Sequence, residues 1–214
     1  MSDDNKEQPN VSSPTEMAGL TSTVKEDGNI IVAKSDCKYI SIPYNKKNKY
    51  FMNPVDYVKF IKATELMVRQ SQEYVRYIAY LKNDVGLRSC ALFHNIDDSM
   101  ATIEMHHGPI FTLYDIIEIQ IAHLFKTNEP VNSANVAHNV LVDHFNNIIQ
   151  VVMLSEMAHK GVHNFLKNPT KENSDFFLST DSAFGDMKKF TEKYYECFTM
   201  QHIMKIKNYL KLYD

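Results

Sequence analysis

The chain has 214 residues, a formal charge of −3 at neutral pH and 44% hydrophobic residues, including 12 Tyr and 12 Phe, which is enough apolar material for one buried core. No stretch approaches the roughly 20 uninterrupted apolar residues of a membrane span, and no basic-plus-apolar signal opens the chain, so no membrane association and a cytoplasmic location are expected. Cys37, Cys90 and Cys197 are odd in number and widely spaced, as reduced thiols are and a disulfide frame is not.

Residues 1–28 are rich in Ser, Thr, Asp and Glu and read as a disordered polar arm. Residues 29–87 form a basic region with a long helix. Between Lys38 and Arg88, ten basic residues stand against four acidic ones. Within that region Lys46, Lys47 and Lys49 are flanked by Tyr44 and Tyr50, a combination that suits a phosphate backbone, or else a solvated basic loop. Short strands are predicted at 30–33 and 39–42. Asn53-Pro54 then caps a single amphipathic helix over 54–83, with Val58, Ile61, Met67, Tyr74 and Leu81 on its apolar stripe.

Residues 88–96 and 99–107 alternate as a hairpin would around Asp97-Asp98, and a two-residue turn there sets Arg88 opposite His107. Thr112 caps a helix over 113–125, and a second helix covers 133–146. This pair reads as a helical insertion, 112–146, between the two halves of one motif. His123, His138 and His144 lie within it, and their spacing gives no shared helical face, so they read as surface or core-edge residues; His94 reads as an ordinary strand residue. Residues 166–214 comprise a loop anchored by Phe176-Phe177-Leu178 and a long helix from Ser182 to Leu212, whose apolar side could pair with a second copy as a homodimer.

The motif itself is made of two runs. Residues 103–109 read Ile-Glu-Met-His-His-Gly-Pro, a strand ending in adjacent histidines. Residues 151–164 read Val-Val-Met-Leu-Ser-Glu-Met-Ala-His-Lys-Gly-Val-His-Asn, an apolar strand that becomes a helix at Ser155. Side chains four apart share a helical face, so His159 and His163 can point at one ion. A third ligand from the first run would complete a typical open catalytic set. Neighbouring side chains on a regular strand face opposite ways, so only one of His106 and His107 can be that ligand.

This arrangement resembles the ββα-metal nucleases of the HNH superfamily, as found in colicin nuclease domains and phage endonucleases, over residues 88–165. The resemblance implies an α+β, mostly helical fold: a ββα-metal core with an inserted helical pair and flanking long helices. It implies His106, His159 and His163 as metal ligands and His107 as the general base that activates water. Gln150 stands where the family has a catalytic-loop Asn, keeping the amide but adding a methylene, and Asn146 and Asn147 lie close enough to take that place. The cofactor expected is one divalent ion; three imidazoles favour Zn²⁺, Ni²⁺ or Mn²⁺, and related sites also use Mg²⁺. Arg88 and Lys160 would meet phosphate, and DNA is the expected partner. The reading is a phage-type endonuclease that hydrolyses phosphodiester bonds. The alternative is a degenerate relative that binds DNA or a protein without hydrolysis, towards which Gln150, the inserted helices and the acidic overall charge point.

Overall fold

A computed structural model describes residues 21–24, 30–33, 43–44, 53–167 and 171–213, and shows an α+β, mostly helical chain. Lys46, Lys47, Lys49 and the strand expected at 39–42 lie outside the described residues. Strand β1 (Thr21–Val24) pairs antiparallel with β2 (Ile30–Ala33), so the arm expected to lack regular structure contains a strand.

Helix α1 (Pro54–Gln70) starts where Asn53 accepts the Val55 N–H, and α2 (Gln72–Asn83) follows after one residue. The single helix expected over 54–83 is broken at Ser71. This buried serine is extended (φ −70°, ψ 147°); its Oγ donates to the Val68 carbonyl at 2.8 Å and accepts the Tyr74 N–H at 3.1 Å. One side chain therefore ends α1 and begins α2.

The hairpin expected over 88–107 does not form. Residues 88–101 are an irregular loop with a lone bridge between Ser89 and Asp97. Strand β4 (Ile103–His107), counted after the two-residue β3 (Pro43–Tyr44), pairs instead with β6 (Val151–Ser155), and β3 pairs with β5 (Val131–Asn132). In the β4–β6 register His106 faces Val152 and His107 faces Val151, so Arg88 is nowhere opposite His107. It bonds the Lys82 carbonyl and Asn83 Oδ1 at the end of α2, and lies 4.0 Å from Asp98.

Between those strands run α3 (Leu113–Lys126), with a capping box of Thr112 and Asp115, and α4 (Ser133–Phe145), capped by Asn132. Both are buried on most of their surface: Ile116, Ile117, Ile119 and Leu124 of α3 meet Val136, Val140 and Leu141 of α4 in one core with Phe60, Ile61 and Val68 of α1. The inserted pair is thus the centre of the helical layer. Helix α5 (Glu156–Lys167) packs against β4 and β6.

The long final helix expected over 182–212 is two helices, α6 (Met187–Tyr194) and α7 (Met200–Tyr213), separated by a 3₁₀ turn at Tyr195–Cys197. Asp186 caps α6, accepting the Lys189 N–H. Ahead of it Phe184 pairs with Val151 and Gly185 has φ +113°; a Cβ on Gly185 would lie 2.2 Å from the Ile149 carbonyl oxygen, so only glycine lets this segment dock beside β6. A buried carboxylate ties the layers: Asp143 of α4 accepts from Gln120 of α3 and from Tyr194 of α6, both at 2.6 Å, and pairs with Lys193 at 2.7 Å.

Ser71→Ala removes the acceptor of the Tyr74 N–H and is expected to lower the unfolding free energy by about 1 kcal/mol. A denaturant titration of both proteins reads it as a lower midpoint at unchanged slope.

Candidate metal centre

Successive residues of β4 alternate between two environments. Glu104 and His106 turn towards α5, while Met105 and His107 turn towards the helical layer. On α5, Ala158, Val162 and Phe165 are the buried stripe that holds the helix against the sheet. His159 and His163 follow this stripe by one position each, at its solvent edge, half-buried and exposed respectively. Ser155 Oγ accepts the Ala158 N–H at 3.4 Å where β6 turns into the helix.

The three imidazoles expected as ligands come together. Ring centroids of His106 lie 5.0 Å from His159 and 5.1 Å from His163, and the nearest ring nitrogens of all three fall within 4.8 Å of one another. The Nε2 atoms of His159 and His163 are 3.1 Å apart. Two nitrogens bound to one ion at about 2.0–2.1 Å would be separated by about 2.9–3.4 Å for angles between octahedral and tetrahedral, so this pair already has ligand spacing. His106 is 4% exposed, and its Nε2 has no hydrogen-bond partner. Burial, and then the neighbouring His159 and His163, push its pKa down to about 3, which keeps its lone pair free of protons. Burial likewise lowers the pKa of His163. Gly108 leaves room for the His106 ring, since a Cβ there would sit 3.2 Å from its Cδ2 and Nε2. The donor set, its spacing and the orphaned buried nitrogen fit a divalent ion such as Zn²⁺, Ni²⁺ or Mn²⁺.

Sequence reasoning missed Glu104. Its Oε2 lies 2.6 Å from His159 Nδ1, and the alternation of β4 alone would have put it beside His106.

The other expected site residues are not gathered there. His107, expected as the base, is 4% exposed on the opposite face of the sheet, with its Nε2 2.9 Å from His144 Nε2. His144 Nδ1 donates to the Val140 carbonyl at 2.7 Å, so in its neutral form His144 Nε2 accepts and His107 Nε2 is the donor. His107 also stacks on Tyr74, with centroids 6.1 Å apart. Burial lowers its pKa well below the usual imidazole value, but nothing directs the ring at the α5 side. Gln150 lines a small cavity with Phe111, Ile149, Met187 and Phe190, and its Oε1 is buried without a partner. Asn146 caps the end of α4, and Asn147, at φ +55°, gives its carbonyl to Asp186 N–H. Exposed Lys160 pairs with Glu156 one turn back. His94 is exposed in the 88–101 loop and not in a strand. His138 is exposed on α4, and His123 packs edge-on against Tyr194. His144, expected at the surface or core edge, is fully buried.

A second group, Asp115, Glu118 and His202, also has ligand-like proximity. Its chemistry is different. Thr199 N–H donates to His202 Nδ1 at 3.1 Å, so the neutral ring carries its proton on Nε2, the atom that faces Glu118 at 3.4 Å. Lys205 also pairs with Asp115 at 2.5 Å, and the cluster is an ion-pair network joining α7 to α3.

A family model described as Bacteriophage G278-like virion protein matches residues 9–214, almost the whole chain. No curated protein matches, and no solved structure does. The family is one of virion proteins, which corrects the cytoplasmic location expected from composition: the chain is a component of a phage particle.

Burial lowers the His144 pKa from 6.5 to about 4, against the raising effect of the hydrogen bond to Val140. The folded state therefore binds fewer protons than the unfolded chain between these values, and the stability due to the neutral ring, complete above pH 6.5, is lost as pH falls towards about 4. Denaturant midpoints measured across this window are expected to fall with pH, and less steeply in His144→Gln, which has no proton to gain.

Proposed function

We propose that this chain, which belongs to the bacteriophage G278-like virion protein family, carries one divalent ion on His106, His159 and His163 and acts with it on the phosphodiester backbone of nucleic acid. The observation that supports this most is the buried, unpartnered Nε2 of His106, facing two helix imidazoles whose own nitrogens stand at ligand spacing. An ion in such a set supplies Lewis acidity towards a phosphate oxygen and towards water. The protein's part is positional. Buried His106 closes the sheet side of the centre, Glu104 bonds His159, and His163 is exposed on the outer side. The strand-strand-helix layout and the His-His and His-x-x-x-His spacings support an HNH-like scaffold, now without an expected role for Gln150 or Arg88 at the centre.

A second reading is favoured by one specific observation. His107, the base of an HNH-type reaction, is turned into the helical layer and engaged by His144. On that reading the centre binds nucleic acid or braces the particle without hydrolysis.

Plasma mass spectrometry of the purified protein, with a plasmid-nicking assay in Mg²⁺, Mn²⁺ and Ni²⁺, separates the two. About one ion per chain is expected in the wild type, lost in His106→Ala and His163→Ala. Nicking that disappears with the ion supports the nuclease, a bound ion without nicking supports the second reading, and a metal-free wild type removes both. Nicking retained by His107→Gln assigns proton abstraction to another group.

A further inference from the structure

We infer that Glu104 is the positioning residue of this centre: its carboxylate fixes His159 as the Nδ1–H tautomer and so presents a bare Nε2 to the place where His106 and His163 converge. The inference rests on the metal-binding reading above and adds a residue to it. It begins with the pleat of β4. Glu104 and His106 are two apart and share a face, with Leu154 and Val152 as their cross-strand partners, so the residue that supplies the buried ligand is accompanied on its own strand by a carboxylate. That carboxylate reaches across to α5 and meets His159 Nδ1 at 2.6 Å, the short distance of a charge-assisted bond.

A neutral imidazole has one donor and one acceptor nitrogen, and an ionised carboxylate can only accept. Glu104 therefore places the proton on Nδ1 and leaves Nε2 as the acceptor. His159 Nε2 is also the atom 3.1 Å from His163 Nε2, so the tautomer set by Glu104 makes His163 the donor of that contact; to ligate, His159 keeps its proton where it is, while His163 moves its own to Nδ1. The one acid on β4 thus acts on a ligand of another element, 55 residues away in sequence. Glu156 does not compete for this role, because it is paired with Lys160 on the outer side of α5. An incidental surface pair would have a different signature: it would change stability slightly and leave both the tautomer and the ion affinity as they were.

The test uses the full chain and two measurements. Long-range ¹⁵N–¹H spectra of the metal-free protein report which nitrogen of His159 carries the proton, and calorimetric titration with Zn²⁺ reports affinity. In the wild type His159 is expected as Nδ1–H. Glu104→Ala is expected to release that tautomer and to weaken Zn²⁺ by about 10–100-fold, the range typical of a lost outer partner of a ligating histidine. Glu104→Gln, whose amide oxygen still accepts, is expected to retain the tautomer and most of the affinity. If Glu104→Ala matches the wild type while His106→Ala loses Zn²⁺, the centre stands and the role of Glu104 is overturned. A Gln variant that falls as far as Ala overturns it as well. If the wild type takes up no more Zn²⁺ than His106→Ala, the centre itself is overturned, and Glu104 with it.

Discussion

Five residues of β4, paired in fixed register with β6, decide what every histidine near them can do. A regular strand sends consecutive side chains to opposite faces, so the adjacent pair His106 and His107 is divided between two surroundings. His106 goes to the α5 side with Glu104, and His107 goes to the helical layer with Met105. Shifting the register by one residue would exchange the two sets and would place Ile103, Met105 and His107 against α5. The long pairing, anchored at one end by the Lys82 ammonium on the Ile103 carbonyl and at the other by Gly108 N–H on the Gln150 carbonyl, prevents such a slip.

The two faces resolve the cost of burying an imidazole in different ways. On the inner face the two imidazoles bond in series: His107 Nε2–H donates to His144 Nε2, His144 Nδ1–H donates to the Val140 carbonyl, and the rings of Tyr74 and Tyr77 pack against them, their own hydroxyls buried without a partner. Burial is what holds both rings neutral, and the series of hydrogen bonds satisfies their N–H groups once they are. On the outer face the accounts are open. His106 Nε2 is buried without a partner, at a desolvation cost of about 1–3 kcal/mol, and faces the His159 and His163 imidazoles, whose Nε2 atoms meet at 3.1 Å. His202 Nε2 is also buried without a hydrogen-bond partner, but it faces carboxylates of α3, whereas His106 Nε2 faces two imidazoles, which are ligand groups themselves.

The local signals in the sequence carried far. Asn53-Pro54, Thr112 with Asp115, and the Asn132-Ser133 boundary begin helices where their capping chemistry says they should. His159 and His163 share a helix face because four residues make about one turn. What failed was what only tertiary structure can decide. Ser71 sits inside an unbroken apolar stripe, and it ends a helix because its hydroxyl finds Val68 on one side and Tyr74 on the other. The alternation from Arg88 onwards looked like a hairpin strand, but β4 takes its partner from beyond two helices, and the nearer segment is left as a loop. His144 gave no sign of its burial because its partner lies on a strand 37 residues away. Glu104, by contrast, is legible from the pleat of its strand, which puts it on the face of His106.

The insertion between the two strands bears on how the site is held. Helices α3 and α4 are not an appendage to a small strand-strand-helix unit; they contribute much of the core and meet α1 along its buried face. Asp143, on α4, gathers Gln120, Tyr194 and Lys193, and Asp115, on α3, gathers Thr112 and Lys205. These two carboxylates fasten α6 and α7 to the same layer that receives His107. The consequence is mechanical: β4 is gripped from behind by the whole helical layer, so Glu104 and His106 project from a rigid support. The other two histidines stand on α5, whose helix rests on the sheet through Ala158, Val162 and Phe165. Glu104 reaches from that strand to His159, so β4 and α5 are joined by a polar contact at the same edge where His106 meets the helix imidazoles.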